Sequence, residues 1–103
     1  MINGRILQVN FTFNVSRLEY EDAAASLAGK FAEVPGLRWK IWTMDEANNK
    51  AGGIYYFDDE ASLSSYLKGE LAAAIVNHPA LSDMSVKQFE IMEDVTATTR
   101  GPV

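Results

Sequence analysis

The chain has 103 residues, 48% of them apolar, a formal charge of −5 and no cysteine. This is room for one domain with one core, and the apolar content is too high for a disordered segment. Disulfides, thiolate nucleophiles and cysteine-held zinc or iron–sulfur centres are left out, and no cluster of Lys or Arg offers a surface to a phosphate backbone, so nucleic acid is not an expected partner.

Arg5 to Asn14 alternates strictly, with Leu7, Val9, Phe11 and Phe13 on one face and Gln8, Asn10, Thr12 and Asn14 on the other. Period 2 predicts a strand. Ser16-Arg17-Leu18-Glu19 has capping-box spacing, and Tyr20, Ala23, Ala24, Leu27, Ala28 and Phe31 follow at helical intervals until Val34-Pro35-Gly36. A helix over roughly 17–34 is expected. Leu37 to Met44 and Ala51 to Phe57 read as two strands joined by a polar turn, hence an antiparallel pair. Asp58-Asp59-Glu60 supplies a cap and acidic first-turn groups for a second helix, which Gly69 breaks or kinks before a piece carrying Leu71, Ala74 and Ile75. His78-Pro79 ends it, and Ser85 to Glu93 is expected as the last strand.

The order βαββαβ predicts a single α+β domain over 1–94 of ferredoxin-like type, an antiparallel four-stranded sheet with both helices on one face. Residues 95–103 are expected to be an edge extension or a disordered tail. The helices should cover the more apolar side, which places Leu37, Trp39, Ile41, Phe89 and Ile91 in the core with the first strand's apolar residues. The side away from the helices would then hold Arg38, Lys40, Trp42, Met44, Gln88, Glu90 and Met92. Trp42, Met44 and Met92 there favour burial against a second copy, with Arg38 or Lys40 able to meet Glu90 of the same or the other sheet. A homodimer is therefore the expected partner state.

For a ligand, the aromatic supply is Trp39, Tyr55, Tyr56, Phe57, Phe11 and Phe13, and the candidate polar groups are Asn10, Lys40, the tyrosine hydroxyls and His78. Tyr55 and Tyr56 are adjacent in a strand, so one goes to each face and period does not say which faces a pocket. His78, the sole histidine, reads best as a cap on a helix end, and a bound metal is not expected. Gly52-Gly53 lets the backbone bend or approach a neighbour and lacks phosphate-loop spacing. No run approaches the ~18 apolar residues of a membrane span, and with no secretory leader at Met1-Ile2-Asn3-Gly4-Arg5 a cytoplasmic location is expected.

Pro35-Gly36-Leu37-Arg38-Trp39-Lys40-Ile41-Trp42-Thr43, followed by Ala51-Gly52-Gly53-Ile54-Tyr55-Tyr56-Phe57, resembles the YdhR mono-oxygenase family. That family shows Pro-Gly-x-x-Trp-Lys-x-Trp and Ala-Gly-Gly-Ile-Tyr-x-Phe segments at similar separation. The opening Leu7-Gln8-x-Asn10-Phe11-x-Phe13-Asn14 and the pair Tyr66-Leu67 are similar too. The chain departs from the pattern at Val15-Ser16, where the family has Gly-Pro, and at Lys50, where it has Glu. The resemblance implies a dimeric α/β barrel and, by analogy with a wider group of oxygenases, oxidation of an aromatic or polycyclic phenolic compound by O₂ with no cofactor. On this reading Trp39 and one of Tyr55 or Tyr56 line the pocket with Phe11, and Asn10 or Lys40 contributes a polar group. The alternatives are a protein that binds a small molecule without turnover and a dimeric scaffold.

Overall fold

A computed structural model describes residues 3–103; Met1 and Ile2, where the leader was sought, lie outside the described residues. The elements are β1 (Arg5–Phe13), α1 (Arg17–Ala32), β2 (Leu37–Asp45), β3 (Lys50–Phe57), α2 (Glu60–Leu67), α3 (Glu70–Val76), β4 (Leu81–Glu90) and α4 (Glu93–Thr98). The strands form one antiparallel sheet in the order β2-β3-β1-β4, the ferredoxin-like arrangement expected from the element order.

Local chemistry accounts for the boundaries. Ser16 Oγ accepts from the Glu19 N–H at 3.1 Å, which satisfies one of the unpaired donors at the start of α1. Asp59 caps α2 in the same way, accepting from the Ser62 N–H at 2.8 Å. Gly69 does break the second helical stretch, ending α2 and serving as N-cap of α3. After α1 the chain turns at Gly36, whose φ of 81° is open to glycine at little cost.

The helix-covered face carries the core: Leu7, Val9, Phe11 and Phe13 of β1, Ala51, Tyr55 and Phe57 of β3, with Phe31, Leu63, Tyr66 and Ala72 from the helices. Across the ladder, Lys40 stands opposite Tyr55, Trp42 opposite Gly53 and Met44 opposite Ala51. Those three β2 residues therefore face the helices. Trp39 stands opposite Tyr56, Ile41 opposite Ile54 and Thr43 opposite Gly52, all on the open side.

This corrects the expected assignment of β2, and the cause is a bulge. The register shifts between Leu37 and Trp39, so Leu37 and Arg38 together oppose Phe57. One extra residue flips every side chain beyond it to the other face. Leu37 packs on the core as expected, whereas Trp39 and Ile41 do not. β4 is inverted as well: Val86 pairs with Val9 on the helix side, and Phe89 pairs with Ile6 on the open side. Apolar content misled there because both faces of the sheet carry apolar groups. A second irregularity in the β1–β4 ladder falls where Asp83 takes a positive φ of 53°.

The open face thus has one apolar end. A cross-strand row runs Trp39–Tyr56–Ile6–Phe89, with Ile41 and Ile54 beside it. Ile41 is 52% and Phe89 45% exposed, well above the level of core residues. The tail is neither an edge strand nor structureless. Its helix α4 follows β4 at one edge of the sheet, and Trp39 Nε1 on the opposite edge strand donates to Pro102 O at 2.8 Å.

Candidate active site

Between the helix-facing side of the sheet and the helices lies a cavity of about 260 Å³. Phe11, Lys40, Trp42, Gly52 and Tyr55 form its floor, α1 gives one wall through Tyr20, Ala24 and Leu27, and Ile75, His78 and Leu81 close the far side. The alanines on α1 keep that wall thin. Apart from Lys40, the polar side chains on the lining are Tyr20, Tyr55, Glu19, His78 and Trp42, the last through its indole N–H.

Lys40 is the unusual group. Its Nζ lies 3.4 Å from the Trp42 ring centroid, 3.5 Å from that of Phe31 and 4.7 Å from that of Tyr55. Trp42 meets Phe31 edge-on at 5.3 Å, so the rings form a three-sided box round the amine. None of the ion pairs among the described residues involves Lys40. Burial disfavours the ammonium and brings the amine down to about 7, so both protonation states are populated at neutral pH. Gly53 makes the arrangement possible: a Cβ there would stand 2.8 Å from Lys40 Cε. A Cβ on Gly52 would collide with the Val9 carbonyl, so that glycine serves close strand approach.

The tyrosines are donors, not bases. Tyr66 Oη donates to Tyr55 Oη at 3.4 Å. Burial raises the Tyr20, Tyr55 and Tyr66 hydroxyls above their ordinary value and keeps them protonated. His78 does not cap α3 with its ring. Its Nδ1 accepts from the Ala80 N–H at 3.1 Å, so the proton of the neutral ring sits on Nε2. Among the described residues no group of three His, Asp or Glu side chains is placed to hold a metal ion.

Of the pocket candidates from sequence, the fold brings Phe11, Tyr55 and Lys40 together. Asn10, Trp39 and Tyr56 lie on the open face, where Trp39 and Tyr56 pack with ring centroids 5.6 Å apart. Of the interface candidates, Trp42 and Met44 face the helices, and Arg38 sits in the bulge with its guanidinium 3.3 Å from Asp58 Oδ1. Met92 is 75% exposed beyond the end of β4. Sequence reasoning missed Trp42, Tyr20 and Leu27 as lining. The apolar stripe of α1 held a signal for the last two, since it contains both.

Comparison with solved structures agrees with this fold. A cofactor-independent oxygenase from Streptomyces nogalater, SnoaB, superposes with a TM-score of 0.71 at 20% identity, covering 86% of this chain and 93% of its own. NE2512, a protein of unknown function from Nitrosomonas europaea, gives 0.73 at 20% identity, covering 88% and 91%. A dimeric ferredoxin-like protein of unknown function from Thermobifida fusca gives 0.69 at 22% identity, covering 85% and 91%. At these identities the likeness concerns the fold. No curated protein matches by sequence. The family described as "Putative mono-oxygenase ydhR" matches over residues 6–102. The chain therefore belongs to the ydhR family.

Proposed function

We propose that this chain is a homodimeric oxygenase that uses O₂ without a cofactor to oxidise a small phenolic compound held between sheet and helices. The observation that carries the reading is the Lys40 amine, in no ion pair among the described residues and boxed by aromatic rings at the floor of an apolar cavity. Cavity size argues for the smaller end of the substrate range. An apolar cavity of about 150 Å³ holds benzene, so about 260 Å³ suits one or two rings better than a polycycle.

The chemistry follows from the side chains. Neutral Lys40 takes the phenolic proton, and the resulting ammonium stays beside the phenolate it has made. Tyr55 Oη–H is a further donor to that oxygen. The ring carbon para to the phenolate supplies electrons to O₂ and gains a hydroperoxide. Loss of water then leaves a carbonyl, with one oxygen atom of O₂ in the quinone and the other in water. Nothing in this sequence draws electrons from outside the substrate.

Pairing through the open face supports the same architecture, because Ile41 and Phe89, 52% and 45% exposed there, are poor surface to leave in water. The test is O₂ uptake and juglone formation from 1,5-dihydroxynaphthalene, with Lys40→Met as the comparison. Turnover by the wild type that the variant loses supports the reading. Tight binding of the naphthol with no O₂ consumed across a panel of phenols reassigns the site to a binding protein.

A further inference from the structure

We propose that Lys40 is also a nucleophile toward carbonyl compounds, capturing small aromatic aldehydes as an imine inside the cavity. The inference does not rest on oxygenase chemistry, since it needs neither O₂ nor a phenol.

Three features of the site combine to give it. Lys40 lines a cavity of about 260 Å³, enough for a benzene-sized ring with a substituent. Its surroundings are aromatic: Phe31 and Trp42 lie within 3.5 Å of Nζ by centroid, and a flat aryl aldehyde in the cavity would meet Trp42 and Tyr55 of its lining. Charged groups that would hold the amine as an ammonium are not engaged with it. Glu19 on α1 faces the cavity but accepts at 3.3 Å from the Ser16 hydroxyl at the helix start, and Tyr20 on the same helix and Tyr55 on β3 stay neutral. His78, after α3, is held by the Ala80 N–H. Burial then leaves much of the amine in its nucleophilic form at neutral pH.

The step balances without any further reactant. The Lys40 nitrogen adds to the carbonyl carbon, one N–H proton passes to the oxygen, and the carbinolamine loses water with the second N–H proton to leave C=N. No oxidant or reductant is consumed, and hydrolysis reverses the capture.

The experiment uses the full chain with benzaldehyde and sodium cyanoborohydride at pH 7, read by intact mass and peptide mapping. Reduction makes the adduct permanent, and Lys30, Lys68 and Lys87, all exposed, are internal controls within one molecule. The expected result is roughly tenfold or greater preference for Lys40, because burial leaves part of its amine unprotonated at that pH. Labelling at Lys40 should rise with a midpoint near its own pKa of about 7, and an excess of 1-naphthol should suppress it by filling the cavity. Even labelling of the lysines, or labelling of Lys40 with a pH midpoint far above 7, overturns the proposal. Wild-type protein suffices for both readouts.

Discussion

Replacing Lys40 with Met should make the protein more stable while removing its chemistry. Met keeps the length of the stem and packs well against rings, so the substitution approaches a volume-conserving one. Burial lowers the Lys40 amine from 10.5 to about 7. Each pKa unit corresponds to about 1.4 kcal/mol, so the ammonium stands against folding by a few kcal/mol. The rings of Phe31, Trp42 and Tyr55 return part of this, about 2–4 kcal/mol together. The balance leaves a gain on the order of 1–3 kcal/mol for Lys40→Met at pH 7, which for a chain of this size raises Tm by several degrees. The pH dependence fixes the cause. Between about 7 and 10.5 the unfolded wild type binds more protons at this lysine than the folded one, so its stability rises with pH across that window and is lowest below it. The variant lacks that rise, so the gap between the two should narrow steadily from pH 7 to 9.5. Urea melts at fixed protomer concentration measure both quantities. A variant less stable than wild type at pH 7, or a gap that stays flat with pH, would refute the account of a desolvated amine.

Three other perturbations test the surroundings of the amine and the open face. Gly53→Ala puts a methyl 2.8 Å from Lys40 Cε, where the flexible side chain can move aside; stability should fall by less than about 1 kcal/mol in urea melts while benzaldehyde labelling of Lys40 drops several-fold. Phe89→Asp places a charge at the apolar end of the open face and should shift the protein toward monomer in sedimentation velocity, leaving the far-UV CD spectrum unchanged. Tyr66→Phe removes the donor to Tyr55 from a buried pair and should cost about 1 kcal/mol of stability by denaturant titration, with Lys40 labelling intact.

Element order was legible because its signals are local. Ser16 and Asp59 cap where side-chain chemistry requires, Gly69 divides the second helical stretch, and β1 alternates without interruption, so its face assignment held throughout. The candidate site was legible as a set of residue types but not as a place. Lys40, Tyr55 and Phe11 could be named from sequence, yet Trp42 was sent to the wrong side and Trp39 took its role. A bulge leaves no trace in a run such as Leu37-Arg38-Trp39-Lys40-Ile41-Trp42, because large apolar residues occur at both parities. Only the partner strand settles it: Gly53 leaves room on one face for a long side chain from β2, and Tyr56 offers a ring on the other.

The bulge has a chemical consequence as well as a geometric one. Were β2 to alternate unbroken from Leu37, Trp39 and Ile41 would press on α1, and Lys40 would extend into solvent from the open face with an ordinary, protonated amine. Pairing Leu37 and Arg38 against Phe57 turns this round. Lys40 is carried beneath α1 into low dielectric, and Trp39 is delivered to the outer face, where its indole N–H anchors Pro102 of the tail. Arg38, the residue that a bulge leaves beside the ladder, keeps its guanidinium in water next to Asp58, so the irregularity buries no charge of its own. A single inserted position thus sets both the reactive amine and the apolar end of the exposed sheet. Any relative in which the strand lacks it should present neither, whatever its overall similarity in fold.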